Sequence, residues 1–345
     1  MIFCGDTVFP FKFNKNFYKE LDKEFLQKEK IVNLESLIID NKQVKKTTKG
    51  IALNSSKDII HFFKFLNVKA CSLANNHITD FEVSIEDQKD FLHENNISGF
   101  GAGDNLEKAI NYFEFEKDYK KYKVFAFGWD IIGCKYATET SKGVNPMEYE
   151  NIKGLIKNQK NIILIFHNNY EFELYPQPAH RKMFFDLVDE FDIKAIFCHH
   201  PHIVGGCEIY KNVPIFYSLG NFYLPETNYN GYNLKYNEEA KEGLCVEFNE
   251  KIEEIRLFWT YKDEKNNLIV TQKEKLLESK KIKDLTPFDN MIHDKYIKWF
   301  EKNRKKKRLL PIYKNYNSKF KKVINKLIVI NRQKIIDLLV RLKVK

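Results

Sequence analysis

Short apolar runs recur along the first 220 residues, and one after another they stop at a carboxylate, an amide or an imidazole. Ile2-Phe3-Cys4 runs into Gly5-Asp6, and Lys30 to Leu34 ends at Glu35. Ala70 to Ala74 stops at Asn75-Asn76-His77, with Asp80 three residues beyond. Asn161 to Phe166, the clearest buried strand in the chain, delivers His167, and Ala195 to Cys198 leads into His199-His200-Pro201-His202. Apolar β-compatible runs with abrupt polar ends read as buried strands that carry their carboxyl ends to one place. Helical segments fall between them: Asn16 to Glu29, Ser84 to Asn95, Leu106 to Tyr112, Asn151 to Asn158 and Lys182 to Phe191. In another, Ser56 to Leu66, residues Ile59, Ile60, Phe63 and Leu66 share a face and Ser55 or Ser56 is the expected cap. The alternation predicts an α/β fold. Val213 to Ser218 is a further strand, and Leu244 to Phe248 with Ile255 to Tyr261 reads as a hairpin at the sheet edge.

Composition excludes some classes. With 345 residues, 43% of them hydrophobic, the chain can bury a large core. The six cysteines are scattered without a CxxC pair, which argues against a disulfide framework or a structural zinc site. Gly101 to Asn105 is glycine-rich but has neither a GxGxxG nor a P-loop pattern, and reads as a tight turn. The N-terminus shows no basic-then-apolar signal segment and no apolar run nears the ~18 residues of a membrane span, so a cytoplasmic protein is expected.

In open α/β sheets, sites gather at the carboxyl ends of the strands. Here those ends supply Asp6, Glu35, Asn76, His167, His200 and His202, a mixed oxygen and nitrogen set suited to two divalent transition metals. The His-Pro-His segment is expected to be extended, holding two imidazoles on a fixed backbone. The implied chemistry is attack of a metal-activated water on an electrophilic centre. His77 is the candidate proton donor to the leaving oxygen, with Asp80 fixing its tautomer and raising its pKa. Taken alone, Asn75-Asn76 also reads as a turn and His77 as a helix-start residue. His61, His93 and His293 end no strand beside other ligands and read as structural.

Seven motifs in order carry a family resemblance: Gly5-Asp6, Asn33 to Ser36, Leu73 to Asp80, Gly101 to Ala109, His167 to Glu171, His200 to His202 and Tyr217 to Phe222. The chain resembles the CapA-type poly-γ-glutamate capsule biosynthesis family, a branch of the calcineurin-like metallophosphoesterases, over roughly residues 1 to 260. The resemblance implies a four-layer αββα sandwich with two divalent metal ions (Mn, Fe or Zn) at the strand ends. It implies that Asp6, Glu35 and His202 hold one ion, and that Glu35 as bridge, Asn76, His167 and His200 hold the other. His77 matches the general acid, His199 falls at a variable position, and Glu171 and Asn221 are the expected substrate contacts. Several positions depart from the pattern. Val8 stands where the superfamily has a histidine, and His180 where the family has glutamine. Asn168, Asn169 and Phe172 replace the usual Trp, Gly and Tyr after His167, and Phe81-Glu82 replaces Tyr-Gly.

Residues 289–345 carry 18 basic and 4 acidic side chains, whereas the preceding 288 residues carry 39 and 43. The expected division is therefore a catalytic domain, residues 1–285, and a basic amphipathic helical tail, residues 289–345. In the tail, Phe320, Val323, Ile324, Leu327, Ile328, Ile335, Leu338, Leu339 and Leu342 fall mainly on one face. Such a tail suits an anionic membrane surface, making the protein peripheral at the inner membrane face, or a capsule-synthesis enzyme; docking of its apolar face on the body is the alternative. Nucleic acid is a weaker fit, and a nuclease is suggested by charge alone. The leading expectation is a metal-dependent hydrolase acting on a phosphorylated or polymeric substrate, glycan or polyglutamate, in capsule or surface-polymer synthesis. The rival is a non-catalytic scaffold that recruits synthesis enzymes to the membrane.

Overall fold

The computed structural model describes residues 1–14, 21–40, 44–48, 50–304, 307, 309–318, 323–329 and 331–332. Two sheets face each other. In the first, β1 (Ile2–Thr7), β2 (Lys30–Leu34), β3 (Val68–Ser72) and β4 (Ser98–Phe100) run parallel. The second is built on β5 (Phe113–Lys117), β6 (Lys120–Gly128), β7 (Ile162–His167), β8 (Ile193–His199), β9 (Cys207–Tyr210) and β10 (Val213–Phe216), in the order β9-β10-β8-β7-β6-β5. The chain then returns to the first sheet. There β11 (Asn221–Tyr223) pairs with β1 in parallel, and β12 (Glu242–Glu247), β13 (Arg256–Lys262) and β14 (Leu268–Lys275) extend it antiparallel to eight strands. The expected Leu244 to Tyr261 hairpin therefore does not lie at the edge: β12 pairs with β1, and β14 is the outer strand.

The period-two alternation of a strand explains the layers. In β7, Ile163 and Ile165 join Ala195 and Phe197 in the core between the sheets, while Ile162, Leu164 and Phe166 face the opposite way into a second core. Phe3 of β1 stacks on Phe197 of β8 at 4.2 Å across the interface. Helices α2 (Ile59–Phe65) and α3 (Ile85–Glu94) cover the first sheet, and α5 (Tyr149–Ile156), α6 (Pro178–Glu190) and α8 (His293–Asn303) cover the second, giving the αββα sandwich. Short helices α1 (Lys23–Gln27), α4 (Leu106–Ala109) and α7 (Lys280–Leu285) lie between these elements.

Some local expectations change. Residues 16–20 of the first expected helix lie outside the described residues, and α1 is capped by Asp22, which accepts from Phe25 N. Helix α2 begins after Asp58 and neither serine caps it; Ser55 Oγ instead accepts from Phe9 N, and Ser56 Oγ donates to Phe11 O. The β5–β6 hairpin turns at Asp118 and Tyr119, both left-handed, without the Gly or Asn that marks such turns in sequence.

The largest change concerns the C-terminal segment. Phe288, Tyr296, Phe300, Leu310 and Tyr313 belong to the second core, so no boundary separates a body from a tail near residue 289. Buried aromatics, invisible to a count of charges, decide this. Of the basic run, Arg304 is buried against Glu173, and Lys305, Lys306 and Arg308 lie outside the described residues. Residues 323–329 and 331–332 are helical and expose Val323, Ile324, Leu327 and Ile328; Phe320 and residues 333–345 lie outside the described residues. No helix of the described residues is long and apolar enough to cross a membrane.

Candidate metal centre

The carboxyl ends of β1 and β2 meet those of β7 and β8 across the gap between the sheets. Register explains why the ligand types converge: Asp6 is aligned with Asn33 on one side and Asn221 on the other, and His167 with His199. Gly5 permits the approach, since a Cβ there would lie 2.1 Å from Gly220 O, the carbonyl that accepts from Asp6 N. Gly220 itself turns at φ +64°, which glycine adopts without steric cost.

Asp6 and Glu35 are fully buried. Asp6 Oδ1 accepts from Asn33 Nδ2 at 2.7 Å and lies 3.4 Å from His199 Nδ1; Oδ2 lies 3.2 Å from His202 Nδ1 and accepts from His200 N at 3.3 Å. Glu35 Oε1 sits 3.5 Å from His167 Nε2 and 3.9 Å from His77 Nε2, and Oε2 sits 3.8 Å from His202 Nδ1. His167 Nε2 lies 2.7 Å from Asn76 Oδ1 and 3.2 Å from His200 Nδ1. The six residues expected to hold metal are thus brought together.

The His-Pro-His backbone is not extended. His200 and His202 have φ of +94° and +60°, a conformation that costs on the order of 1–3 kcal/mol each. The chain turns sharply at the end of β8, and this turn brings the His202 imidazole and the His200 N–H to the carboxylates and the His200 imidazole to His167.

Electrostatics divide the imidazoles into two kinds. Burial holds His167 and His200 below the ordinary histidine value, His200 further because His167 and His202 crowd it. For His202 burial acts the same way, but Glu35 and Asp6 outweigh it and lift the pKa to about 10. Burial also opposes protonation of His77, and the Asp80 carboxylate 2.6 Å from its Nδ1 reverses the sign, with Glu35 adding to it. Burial pushes the Asp6 pKa up, but His199 and His202 hold it well below the usual carboxylate range.

The residues fit a cation. Neither buried oxygen of Glu35 has a hydrogen-bond partner, and a buried carboxylate without compensation costs several kcal/mol. Ligand atoms of Glu35, His200 and His202 lie within 4.8 Å of one another, and the mixed donor set suits Mn, Fe or Zn.

The remaining expected residues fall around this centre. Asp80 Oδ2 accepts from Leu53 N at 2.9 Å as well as facing His77. Asn221 is spent within the protein: its Oδ1 lies 3.0 Å from His202 Nδ1 and its Nδ2 donates to Ala240 O. That arrangement orients His202 and leaves little of the amide for substrate. Glu171 is exposed at the rim, 3.5 Å from Lys307 Nζ. Sequence reasoning gave no role to Asn33, which lies 3.3 Å from His167 Nδ1 as well as bonding Asp6, although a polar residue inside an apolar strand was the available signal. It set His199 aside, yet His199 faces Asp6. Asn75, read as a turn residue, also braces the site: Nδ2 donates to Leu34 O and Oδ1 accepts from His77 N. Tyr236 was overlooked in an asparagine- and tyrosine-rich loop, and its ring lies 6.0 Å from His202.

The chain is 28% identical over 199 residues to the PGA biosynthesis protein CapA of Bacillus subtilis (strain 168), covering 55% of this chain and 51% of that protein. It is 26% identical over 195 residues to the capsule biosynthesis protein CapA of Bacillus anthracis, covering 54% and 47%. The chain thus spans about half the length of the curated relatives it matches. Among solved structures, a hypothetical protein from Thermus thermophilus aligns with a TM-score of 0.45 at 10% identity, covering 75% of this chain and 97% of that one. A novel phosphatase from Mycoplasma pneumoniae aligns at 0.43 and 13%, covering 79% and 90%. Likenesses that loose carry no functional argument. The model of the bacterial capsule synthesis protein family PGA_cap matches residues 2–226, and the chain belongs to that family.

Proposed function

We propose that the chain is a metal-dependent hydrolase of phosphoesters serving bacterial capsule or surface-polymer synthesis. The observation that carries this reading is Glu35, whose two buried oxygens lack hydrogen-bond partners in the midst of His77, His167 and His202. Asp6, Glu35 and His202 would hold one divalent cation, and Glu35, Asn76, His167 and His200 a second. Bound there, such cations supply Lewis-acid activation of water and of phosphoryl oxygens. The protein's own groups do the rest. Asn33 holds Asp6 in place, and Asn221 orients His202. Asp80 accepts from Nδ1–H of His77 and, with Glu35, favours the imidazolium, whose Nε2–H faces the centre and is delivered to the leaving oxygen, leaving the neutral ring with its proton on Nδ1. Glu171 at the rim is left to meet a phosphorylated glycan or polyglutamate chain.

The scaffold reading has one observation in its favour. Val8, at the superfamily's histidine position, is buried in an apolar cluster with Leu53, Leu224 and Tyr229 and offers a cation nothing. The test is elemental analysis of purified protein together with turnover of an aryl phosphate. Stoichiometric metal, and turnover lost in His77→Ala with the metal retained, support the hydrolase. Absence of metal and of turnover across Mn²⁺, Zn²⁺ and Fe²⁺ favours the scaffold.

A further inference from the structure

The loop that follows His167, residues 168–177, has no regular secondary structure of its own. It reverses at two left-handed residues, Asn169 (φ +74°) and Phe172 (φ +57°). Its internal ties centre on Asn169: Nδ2 donates to Tyr175 O at 3.0 Å and Glu173 O at 3.4 Å, and Oδ1 accepts from Gln177 Nε2 at 3.1 Å and Tyr170 N at 2.9 Å. Glu173 N donates to Tyr170 O, and Asn168 N and Phe172 N donate to His199 O and Pro201 O at the end of β8. Much of its remaining support comes from one stretch of chain more than a hundred residues away.

Tyr296 OH donates to Pro176 O at 2.7 Å, and Tyr170 OH donates to Pro311 O at 3.1 Å. Gln177 Oε1 accepts from Tyr313 N at 3.0 Å, and Tyr313 O accepts from Ala179 N at 2.9 Å. Between these contacts Arg304 Nε donates to Glu173, with both side chains almost completely buried, and Arg304 Nη1 donates to Leu310 O at 2.8 Å. Tyr313 also closes an aromatic box directly behind the metal centre. Its ring lies 5.4 Å from Trp129, whose backbone N–H donates to His167 O, and 5.3 Å from His180. His180 Nδ1 lies 3.0 Å from Asn168 Nδ2, so two positions that depart from the family pattern meet in this box. The supporting stretch lies outside residues 2–226, the part matched by the family model.

We propose that residues 296–304 and 309–313 act as a strap that sets the position of the His167 loop, with Arg304 as its positioning residue. Arg304 touches neither metal nor substrate; it acts on the centre through Glu173 and the loop. The link to metal binding rests on the hydrolase reading, whereas the hold on the loop does not. A loop without its own hydrogen-bonded ladder takes its geometry from what it packs against, and groups that orient metal ligands typically contribute about 10–100-fold to metal affinity.

The test is hydrogen exchange on the metal-free full chain, paired with Mn²⁺ titration, for wild type, Arg304→Met and Arg304→Lys. In Arg304→Met, amides of residues 168–177 are expected to exchange at least about tenfold faster, with β6, β7 and β8 unchanged and the Mn²⁺ dissociation constant raised roughly tenfold. Arg304→Lys falls between. Unchanged exchange in residues 168–177 of a folded variant overturns the strap, and so does a uniform rise over the whole chain, which marks a merely structural pair. Faster loop exchange with unchanged Mn²⁺ affinity overturns the connection to the centre. If Arg304→Met does not fold, Tyr170→Phe removes only the hydroxyl bond to Pro311, and a few-fold rise confined to the same segment is expected; no rise there refutes the strap. A wild type that turns over no phosphoester but shows the localised exchange retires the hydrolase and keeps the strap.

Discussion

Replacing Glu35 with glutamine should stabilise the metal-free protein while removing most of its response to metal. The side chain is fully buried, its nearest nitrogens stand 3.5–3.9 Å away, and neither oxygen has a hydrogen-bond partner. Each buried unsatisfied polar atom costs about 1–3 kcal/mol, and more when charged. Glutamine keeps the shape and drops the charge, and the loss of attraction to the protonated His202 offsets part of the gain. A net gain of about 1–3 kcal/mol is the expectation. With cation the sign reverses. At a metal concentration of one hundred times Kd, binding adds about 2.7 kcal/mol to stability; a hundredfold weaker site adds about 0.4 kcal/mol at the same concentration. At roughly 1–2 °C per kcal/mol for a chain of this length, the wild type should gain about 3–5 °C in Tm on adding Mn²⁺ and E35Q less than about 1 °C. Differential scanning calorimetry with and without Mn²⁺ measures both quantities. A Glu35→Gln protein that melts lower than wild type without metal, yet keeps the full Mn²⁺ increment, would show that the orphaned carboxylate is not there for a cation.

Three further outcomes are expected. Because Asp80 raises the His77 pKa, Asp80→Asn should let it fall, so the alkaline limb of the aryl phosphatase pH profile, where the acid must still be protonated, moves to lower pH; an unmoved limb rules out His77 as the acid. Arg181 and Glu208 form a buried bidentate pair with both distances 2.6 Å, and Tyr217 OH donates to the same carboxylate, so Glu208→Gln should cost about 3–5 kcal/mol in urea unfolding, and Arg181→Met with Glu208→Leu should recover much of it. Deleting residues 319–345, which spares the buried Tyr313, should abolish sedimentation with anionic vesicles while leaving Tm within a few degrees; sedimentation that persists excludes this segment as the membrane contact.

Much of the candidate site's clustering was legible in the sequence because its residues sit at strand ends, and strand ends are local events. An apolar run such as Ile162–His167 announces both its burial and the residue at which it stops. The two-sheet layering was legible through the family motifs, since an alternating pattern does not say which of two parallel sheets a strand joins. What lay beyond reach was whatever depends on a partner distant in sequence. Asn33 looks like an ordinary polar residue until β1 sets it beside Asp6. The His-Pro-His segment should be extended by local sterics, and tertiary demand turns it left-handed at both histidines.

The C-terminal segment draws the line most clearly. Its sequence determined a strong positive charge, and that charge, with the apolar face after residue 320, suggested a separate basic amphipathic tail beginning at residue 289. Tertiary structure decided that Tyr296, Phe300, Leu310 and Tyr313 are core residues and that Arg304 is buried against Glu173. The physical reason is that a sparse apolar side chain amid lysines carries no periodic signal, yet it is buried wherever a matching surface exists. That surface is assembled from α6 and the loop after His167, which come together only when the second sheet has formed.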